Sequence, residues 1–224
     1  MDDKPEDPDL IGKIKDKLIR SKEEWAREGR LLTGVPDEER KSRLPPGQRE
    51  VKNWPVLDLG VQPLIRPQDW RLSVVGSVEN PVTWTLEEFL AQPQEEFVSD
   101  IHCVTQWSRY DNHWRGVSAR RIMEVVKPKL EARHVLFRSY DGYTTNMRRE
   151  VFEEPGVLLA HQWEGKPLTR EHGGPVRVVI PQWYFWKSPK WVTRIDFSAS
   201  DQPGFWEVRG YHNEGDPWKE DRYS

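Results

Sequence analysis

The chain contains one cysteine, and its neighbours could give it a chemical role. Cys103 stands in the stretch HCVTQWSR, with His102 before it and Arg109 after five intervening residues. A thiolate beside an arginine can attack a phosphate, and a thiolate can also bind a soft metal. A free cysteine can equally be a small buried hydrophobe. The sequence around Cys103 therefore leaves three interpretations open at this point.

The first interpretation is a cysteine-dependent phosphatase, whose H-C-x5-R spacing this stretch matches. Such an enzyme aims successive backbone N–H groups at the phosphate, which takes a tight turn that contains glycine. The five residues between Cys103 and Arg109 include no glycine, and Val, Thr and Trp favour an extended chain. A phosphatase therefore remains a distant alternative.

The second interpretation is a metal site. The six histidines are scattered along the chain, and no C-x-x-C or H-x-x-x-H pattern is present, so a zinc site lacks the clustered ligands that it needs. One thiolate cannot hold a transition metal alone. The other ligands must then come from a cofactor that the protein grips separately.

The elements that must position Cys103 are strands and short helices. Alternation in WRLSVVGSV predicts a half-buried strand, and EEFVSDIHCV predicts a strand that runs into Cys103. Helices are predicted after Thr85, with Glu88 completing a capping box, and after Ser118. Further strands are predicted in HVLFRSYDG, GVLLAHQW, PVRVVIP and KWVTRIDF. Because these elements do not alternate regularly, we predict a mixed α+β fold and not a doubly wound one.

The domain organisation follows from composition. Residues 1–50 are polar and charge-dense, and we expect an extension with two short surface helices. Ile11, Ile14 and Leu18 share one face of the first, and Ser21 with Glu24 forms a capping box for the second. Residues 51–224 form the main domain, which includes a C-terminal tail that wraps the surface.

Composition also restricts the function. A net charge of −3 with 32% charged residues gives no reason to expect nucleic acid or an acidic membrane as a partner. No apolar run reaches the length of a membrane span, and the acidic start has no apolar signal region, so we expect a cytoplasmic protein. Twelve tryptophans and 18 prolines suggest a rigid, deep-walled site, although a tryptophan-rich core would explain most of them.

Two motifs taken together resemble a known family. HCVTQWS followed by HGGPVRVVIPQWYFWKSPKW resembles the sulfite oxidase family of molybdenum enzymes. The similarity is to its bacterial branch, which includes the catalytic subunit of methionine-sulfoxide reductase and a subgroup of short stand-alone proteins. It covers roughly residues 50–224. The resemblance implies the mixed-sheet sulfite oxidase-type α+β fold and a molybdenum-molybdopterin cofactor, with one pterin dithiolene and no nucleotide.

The resemblance also implies roles for individual residues. Cys103 takes the position of the molybdenum ligand, and Arg177 takes that of the arginine on the pterin phosphate. We expect Arg177 to be solvated, so that its replacement removes cofactor and leaves the fold intact. Arg109 and Tyr184 are candidate catalytic residues on the substrate side, together with Cys103. The remaining cofactor-binding positions are Asn53, Trp54, Pro55, Ser139, His172, Ser188, Pro189 and Lys190.

The activity implied is two-electron oxygen-atom transfer on a small sulfur or nitrogen oxo compound, either sulfite oxidation or sulfoxide or N-oxide reduction. Set against that resemblance, we expect neither a fused haem domain nor a dimerisation domain of the kind found in true sulfite oxidases. We therefore expect a separate electron-transfer partner, a haem or flavin protein. The alternative is a non-catalytic protein on the same fold that binds a cofactor or a partner.

Overall fold

The structure, a computed structural model, describes residue 12, residues 16–24 and residues 43–224. Residues 16–24 form one unbroken helix, α1. Ser21 lies inside this helix, so the prediction that it caps a second helix is wrong. Leu18 is half-buried on α1, whereas Ile11 and Ile14 lie outside the described residues.

The described chain folds into two mixed β-sheets with short helices between the strands, which confirms the predicted α+β class. The strands are β1 (Arg49–Glu50), β2 (Arg71–Gly76), β3 (Val82–Thr85), β4 (Glu95–His102), β5 (Trp107–Ser118), β6 (His134–Ser139), β7 (Thr144–Arg148), β8 (Leu158–Trp163), β9 (Lys166–Pro167), β10 (Arg177–Val179) and β11 (Val192–Ser198). The helices after α1 are α2 (Leu86–Leu90), α3 (Ala119–Val126) and α4 (Arg149–Phe152). Short 3-10 helices occupy Arg170–His172, Phe185–Lys187 and Glu207–Arg209.

The first sheet has the order β1-β5-β8-β10, with β4 paired to β5 and β9 paired to β8. The second sheet has the order β3-β2-β11-β6-β7. Pairing is parallel between β1 and β5 and between β2 and β11, and antiparallel elsewhere. Parallel neighbours are far apart in sequence, because a parallel pair needs a long crossover connection.

Local sequence signals explain the elements that were predicted. Trp70, Leu72 and Val74 are fully buried along β2, as the alternating pattern requires. Thr85 and Glu88 form the complete capping box at the start of α2. The Ser118 side chain accepts a hydrogen bond from the Arg121 N–H and caps α3.

The first sheet is buried on both faces, which divides the interior into two clusters. Leu159 and Val178 face the main core, which packs against the second sheet and α3. Leu158, Ala160 and Val179 face the opposite way, into a second cluster that contains Cys103. Burial on both faces explains why GVLLAHQW and PVRVVIP are continuous apolar runs without alternation.

Five strands were not predicted: β1, β3, β5, β7 and β9. The most informative is β5, the longest, because its inward positions include Asn112 and Gly116 in place of apolar residues. Gly116 approaches the β8 backbone at Leu159 so closely that a side chain would collide with it. Because these two buried positions are not apolar, the sequence does not show the apolar–polar alternation that indicates a strand.

The C-terminal tail packs along the body. Phe205 N–H donates to Thr144 O at 2.8 Å, and Tyr211 forms a bridge with Tyr223. Across the residues that the structure describes, no helix has the length and apolar character that a membrane crossing requires.

Candidate cofactor site

A cavity lies in the second cluster, beside Cys103. The cavity is partly open to solvent, and its empty volume, which includes this open part, is about 860 Å³. Five of the tryptophans that the structure describes line it: Trp54, Trp107, Trp186, Trp191 and Trp206. Large rigid rings therefore form much of the wall, as the tryptophan content suggested.

Cys103 begins the turn that joins β4 to β5. Its N–H donates to Trp107 O at 2.8 Å, and Gln106 N–H donates to Cys103 O at 3.0 Å. Gln106 supplies the left-handed conformation, with φ of 67°. The Gln48 amide also donates to Cys103 O, at 3.0 Å. The expectation of an extended chain after Cys103 was wrong, because a non-glycine residue takes the turn conformation here.

The Cys103 sulfur is buried and hydrogen-bonded. The residue is 6% exposed, and Sγ lies 3.2 Å from Thr105 Oγ1. Burial raises the pKa of the thiol, and the hydrogen bonds from Thr105 oppose that shift only in part. A nucleophilic cysteine needs a lowered pKa, so this environment disfavours a phosphatase.

Arg109 does not line the cavity, which corrects its expected place beside Cys103. Its side chain donates to Lys52 O at 3.3 Å, pairs with Glu164 at 3.2 Å and stacks on Trp163. His102 turns to Ser108 Oγ at 2.8 Å, and burial lowers its pKa to about 4. The cysteine hairpin therefore presents no cation of its own to the sulfur, and the H-C-x5-R spacing has no geometric counterpart.

Arg177 is a buried cation in the cavity wall. It is 2% exposed, and its guanidinium lies over the rings of Trp54 at 5.1 Å and Phe185 at 4.3 Å. It donates to three carbonyls, those of Val178, His172 and Ser188. Among the described residues it has no carboxylate partner. The expected solvated arginine is thus wrong, since this one packs in the interior.

The buried surroundings of Arg177 disfavour its positive charge. Burial lowers the pKa of the guanidinium to about 9, well below its ordinary value. A buried charge is costly unless it is paired, and an anion in the cavity would supply the missing partner. The arrangement is therefore suited to bind an anion at this wall.

Lys190 lies on the same wall. Its ammonium donates to Glu171 O at 2.6 Å, and burial followed by the nearby Arg177 charge lowers its pKa to about 7. Gly173 permits this approach, because it has φ of 101° and an added Cβ would lie 2.9 Å from Lys190 Cβ and 3.1 Å from Arg177 Cβ. Gly173 thus brings the two cations together.

The lowered pKa of Lys190 predicts a pH dependence for the cofactor-free protein. Between about pH 7 and 10.5 the unfolded chain holds a proton on Lys190 that the folded chain has released. The free energy of unfolding should therefore rise with pH across this range, and the slope should be smaller in Lys190→Met. Chemical denaturation of both proteins at the two ends of the range measures this. Equal slopes would contradict it, and inorganic phosphate should flatten the wild-type slope if an anion binds.

Ser188 and Pro189 complete this wall. The Ser188 hydroxyl accepts from Ile180 N–H at 2.9 Å, which leaves its proton available to a ligand. Lys187, the first lysine of KSPK, is instead fully buried and pairs with Glu207 at 2.8 Å. Glu207 also accepts from Trp186 Nε1 at 3.1 Å, so this ion pair supports the cavity wall from behind.

His172 supports Trp54. Its Nδ1 lies 3.0 Å from Thr169 Oγ1, its Nε2 lies 3.3 Å from Trp54 O, and the two rings stack at 4.0 Å. Since a carbonyl can only accept, Nε2 carries the proton. Burial lowers the pKa of His172, so the ring is neutral near pH 7.

Eight of the sequence-predicted site residues line the cavity: Trp54, Pro55, Cys103, His172, Arg177, Ser188, Pro189 and Lys190. Four do not. Asn53 is exposed, and Arg109 points elsewhere as described. Tyr184 is buried behind Trp186, where its hydroxyl accepts from Arg222 Nε at 3.1 Å. Ser139 is buried just off the cavity, and its Oγ has no partner among the described residues.

The sequence analysis missed several polar lining residues, which are Lys22, Asp58, Thr105, Asp141, Tyr143 and Tyr211. They come from α1, from the irregular segment before β2, from the turn after Cys103, from the β6–β7 turn and from the C-terminal tail. Thr105 lies inside the motif HCVTQWS, and Asp141 lies in the predicted segment HVLFRSYDG. The others carry no local pattern that sets them apart from surface residues.

Within the described residues, no three His, Cys, Asp or Glu side chains cluster as a metal site would require. The cavity therefore combines a single buried thiol with a wall that carries the buried Arg177 and the half-buried Lys190. This arrangement can hold a bulky anionic group that carries its own metal ligands.

Comparison with known proteins gives the following matches. A family profile described as the oxidoreductase molybdopterin-binding domain matches residues 59–206. The chain is 43% identical over 187 residues to the uncharacterized oxidoreductase YuiH of Bacillus subtilis, covering 83% of this chain and 94% of that protein. It is 31% identical over 157 residues to the protein-methionine-sulfoxide reductase catalytic subunit MsrP of Campylobacter jejuni, covering 62% of this chain.

The alignment with MsrP spans 52% of that protein, so the chain matches about half of its length. Among solved structures, the sulfane dehydrogenase SoxCD of Paracoccus pantotrophus matches with a TM-score of 0.57 and 23% identity. That match covers 62% of this chain and 40% of the SoxCD chain. At this identity it shows a shared fold.

Proposed function

This chain belongs to the sulfite oxidase family of molybdopterin-binding oxidoreductases, and we propose that it uses a molybdenum-molybdopterin cofactor to transfer an oxygen atom. The substrate class is a small sulfur or nitrogen oxo compound. The relationship to a methionine-sulfoxide reductase favours sulfoxide reduction over sulfite oxidation. The observation that carries the proposal is the buried guanidinium of Arg177, which has no carboxylate partner among the described residues and lies on the cavity that also contains Cys103.

The residues around the cavity fit this cofactor. A dianionic phosphate needs charge-assisted donors, and Arg177, Lys190 and Ser188 provide a fork, a point charge and a hydroxyl. The pterin ring system needs flat apolar walls, and the tryptophans provide them. The Ser139 hydroxyl is buried and has no partner among the described residues, and we propose it as a further cofactor contact.

Cys103 is the proposed metal ligand. A thiolate is a soft ligand that suits a soft transition metal, and Cys103 is the sole thiol of the chain. Its pKa is raised without a metal, so a metal must displace the proton when it binds. Thr105 Oγ1, 3.2 Å from the sulfur, would hydrogen-bond to the bound thiolate and tune its basicity.

The bound group would supply the two-electron redox change at molybdenum, and the protein would supply binding, orientation and exclusion of water. The tryptophan walls keep bulk water away from the sulfur. The hairpin hydrogen bonds of Cys103 and the donated bond from Gln48 fix the sulfur in place before any ligand arrives. Lys190 and Arg177 are distant from Cys103 in the sequence, but their positive charges lie in the lining of the same cavity.

We propose that a separate haem or flavin protein carries the electrons. We also keep the cytoplasmic location and the division into an extension, 1–50, and a domain, 51–224, as proposals. A chain that can form no internal disulfide suits a reducing compartment.

The decisive experiment is metal and pterin analysis of protein produced in a host that makes the pterin. About one molybdenum and one pterin per chain are expected, since one thiolate serves one metal. The matched control is the same protein from a host that lacks pterin synthesis, which should be metal-free. Metal-free protein from the competent host would refute the proposal.

A turnover panel then separates an enzyme from a non-catalytic cofactor carrier. Loaded protein with an artificial electron donor should reduce methyl sulfoxides and, more slowly, N-oxides. With an artificial electron acceptor it should oxidise sulfite more slowly than it reduces sulfoxides. Loaded protein that turns over none of these compounds would favour the non-catalytic alternative.

A further inference from the structure

Helix α1 brings a charged side chain to the cavity from far outside the family match, which begins at residue 59. Ile19 on α1 is 7% exposed and belongs to the same hydrophobic cluster as Cys103. The carbonyl of Glu23 accepts from the Tyr223 hydroxyl at 3.3 Å, so the C-terminal tail holds the helix as well. Packing and a hydrogen bond thus fix α1 over the cavity.

Lys22 projects from this helix into the cavity lining. Its ammonium donates to the carbonyl of Asp58, which uses one of its three N–H donors. Within the described residues it forms no ion pair. Burial lowers the pKa of Lys22 to about 8, against the opposing effects of Asp58, Cys103 and Asp141. The side chain therefore holds a charge that its surroundings compensate poorly.

The charges on the cavity are unequal. Among the residues that the structure describes, three cations line it, Lys22, Arg177 and Lys190, against the two carboxylates of Asp58 and Asp141. The charge of Lys22 also contributes to the lowered pKa of Lys190, because like charges that line one cavity disfavour each other. An anionic ligand bound near Lys22 and Lys190 would favour the charged form of each.

We propose that Lys22 is a further cofactor-binding residue, which α1 carries onto the pterin as the helix covers the cavity. This inference rests on the proposed function, since the ligand is the molybdopterin cofactor. Its two remaining N–H donors suit the phosphate or the carbonyl of the pterin, and the charge adds to that of Arg177 and Lys190. Helix α1 thereby becomes part of the site and not a surface extension.

The test compares cofactor release from the loaded wild type with release from Lys22→Met, Lys22→Arg and Lys17→Met. Lys17 is exposed on the same helix and serves as the matched control. Lys22→Met should release pterin roughly tenfold faster or more, because a charge-assisted hydrogen bond is lost. Lys22→Arg should keep most of the slow release, and Lys17→Met should match the wild type.

Amide hydrogen exchange on the wild type gives a second measurement that needs no variant. Cofactor loading should slow exchange across residues 16–24. Unchanged exchange there, release from Lys22→Met as slow as from wild type, or equal acceleration in Lys17→Met would each overturn the role of Lys22. Wild-type protein that holds no molybdenum and no pterin would overturn the proposed function, and this inference with it.

Discussion

Cys103→Ser should lower oxygen-transfer turnover by at least about 100-fold while the chain stays folded and keeps its pterin, since even ligand-orienting residues cost 10- to 100-fold. The sulfur is the one thiolate that the chain offers, and a serine hydroxyl is a harder and weaker ligand for a soft metal. The proposed anion-binding wall of Arg177, Lys190 and Ser188 is separate from Cys103 and remains intact. Serine should also fit without strain, because its hydroxyl can bond to Thr105 as the thiol does.

Steady-state turnover per bound pterin, with molybdenum content measured on the same sample, checks this expectation. Thr105→Val is the matched control, since it removes the hydrogen bond to Sγ and leaves the thiol in place. Its effect on turnover should be much smaller than that of Cys103→Ser. Turnover of Cys103→Ser within a few-fold of wild type would show that Cys103 is not the metal ligand.

Arg177→Lys should reduce the affinity for cofactor by roughly 10- to 100-fold with a modest change in stability, because hydrogen bonds to charged groups are worth about 1.5–3 kcal/mol. Lysine keeps the charge but loses the planar fork that spans a phosphate. It also reaches fewer of the carbonyls of Val178, His172 and Ser188 that Arg177 satisfies now. Alanine is a poorer probe, since it would leave all three carbonyls without their hydrogen-bond donor. It would also leave the space between Trp54 and Phe185 empty.

Pterin content after extensive dialysis, read beside the denaturation midpoint of the cofactor-free protein, checks this second expectation. Arg194→Lys is the control, since Arg194 is 47% exposed and pairs with Asp196 on the surface. Arg194→Lys should retain cofactor as the wild type does. A denaturation midpoint that collapses in Arg177→Lys, with normal pterin in the surviving folded protein, would assign Arg177 a structural role only.

Much of the fold could be predicted because its signals are local. The alternation of Trp70, Leu72 and Val74 and the capping box of Thr85 and Glu88 depend on neighbours within a few residues. The prediction failed for β5, because Asn112 and Gly116 occupy its buried face for tertiary reasons. It failed for Ser21 as well, where a capping pattern lies inside a longer helix.

The cofactor site divides in the same way. Residue types and motif resemblance were enough to select Cys103, Arg177, Ser188 and Lys190, and the structure brings these four to one cavity. The spacing between Cys103 and Arg109 was misleading. A strand residue points where the sheet register directs it, and β5 directs Arg109 to Glu164.

The sequence by itself determined the class of the fold, the single thiol and the motif that contains Arg177 and Lys190, because each is encoded in a short stretch. The tertiary structure alone decided that Arg177 is buried with no carboxylate partner among the described residues, that Arg109 leaves the cavity, and that Lys22 enters it. These outcomes depend on which distant segments meet, and burial then sets the cost of each charge. Short motifs therefore encode the separate residues of the candidate site, and the packing of α1, the two sheets and the tail brings those residues together.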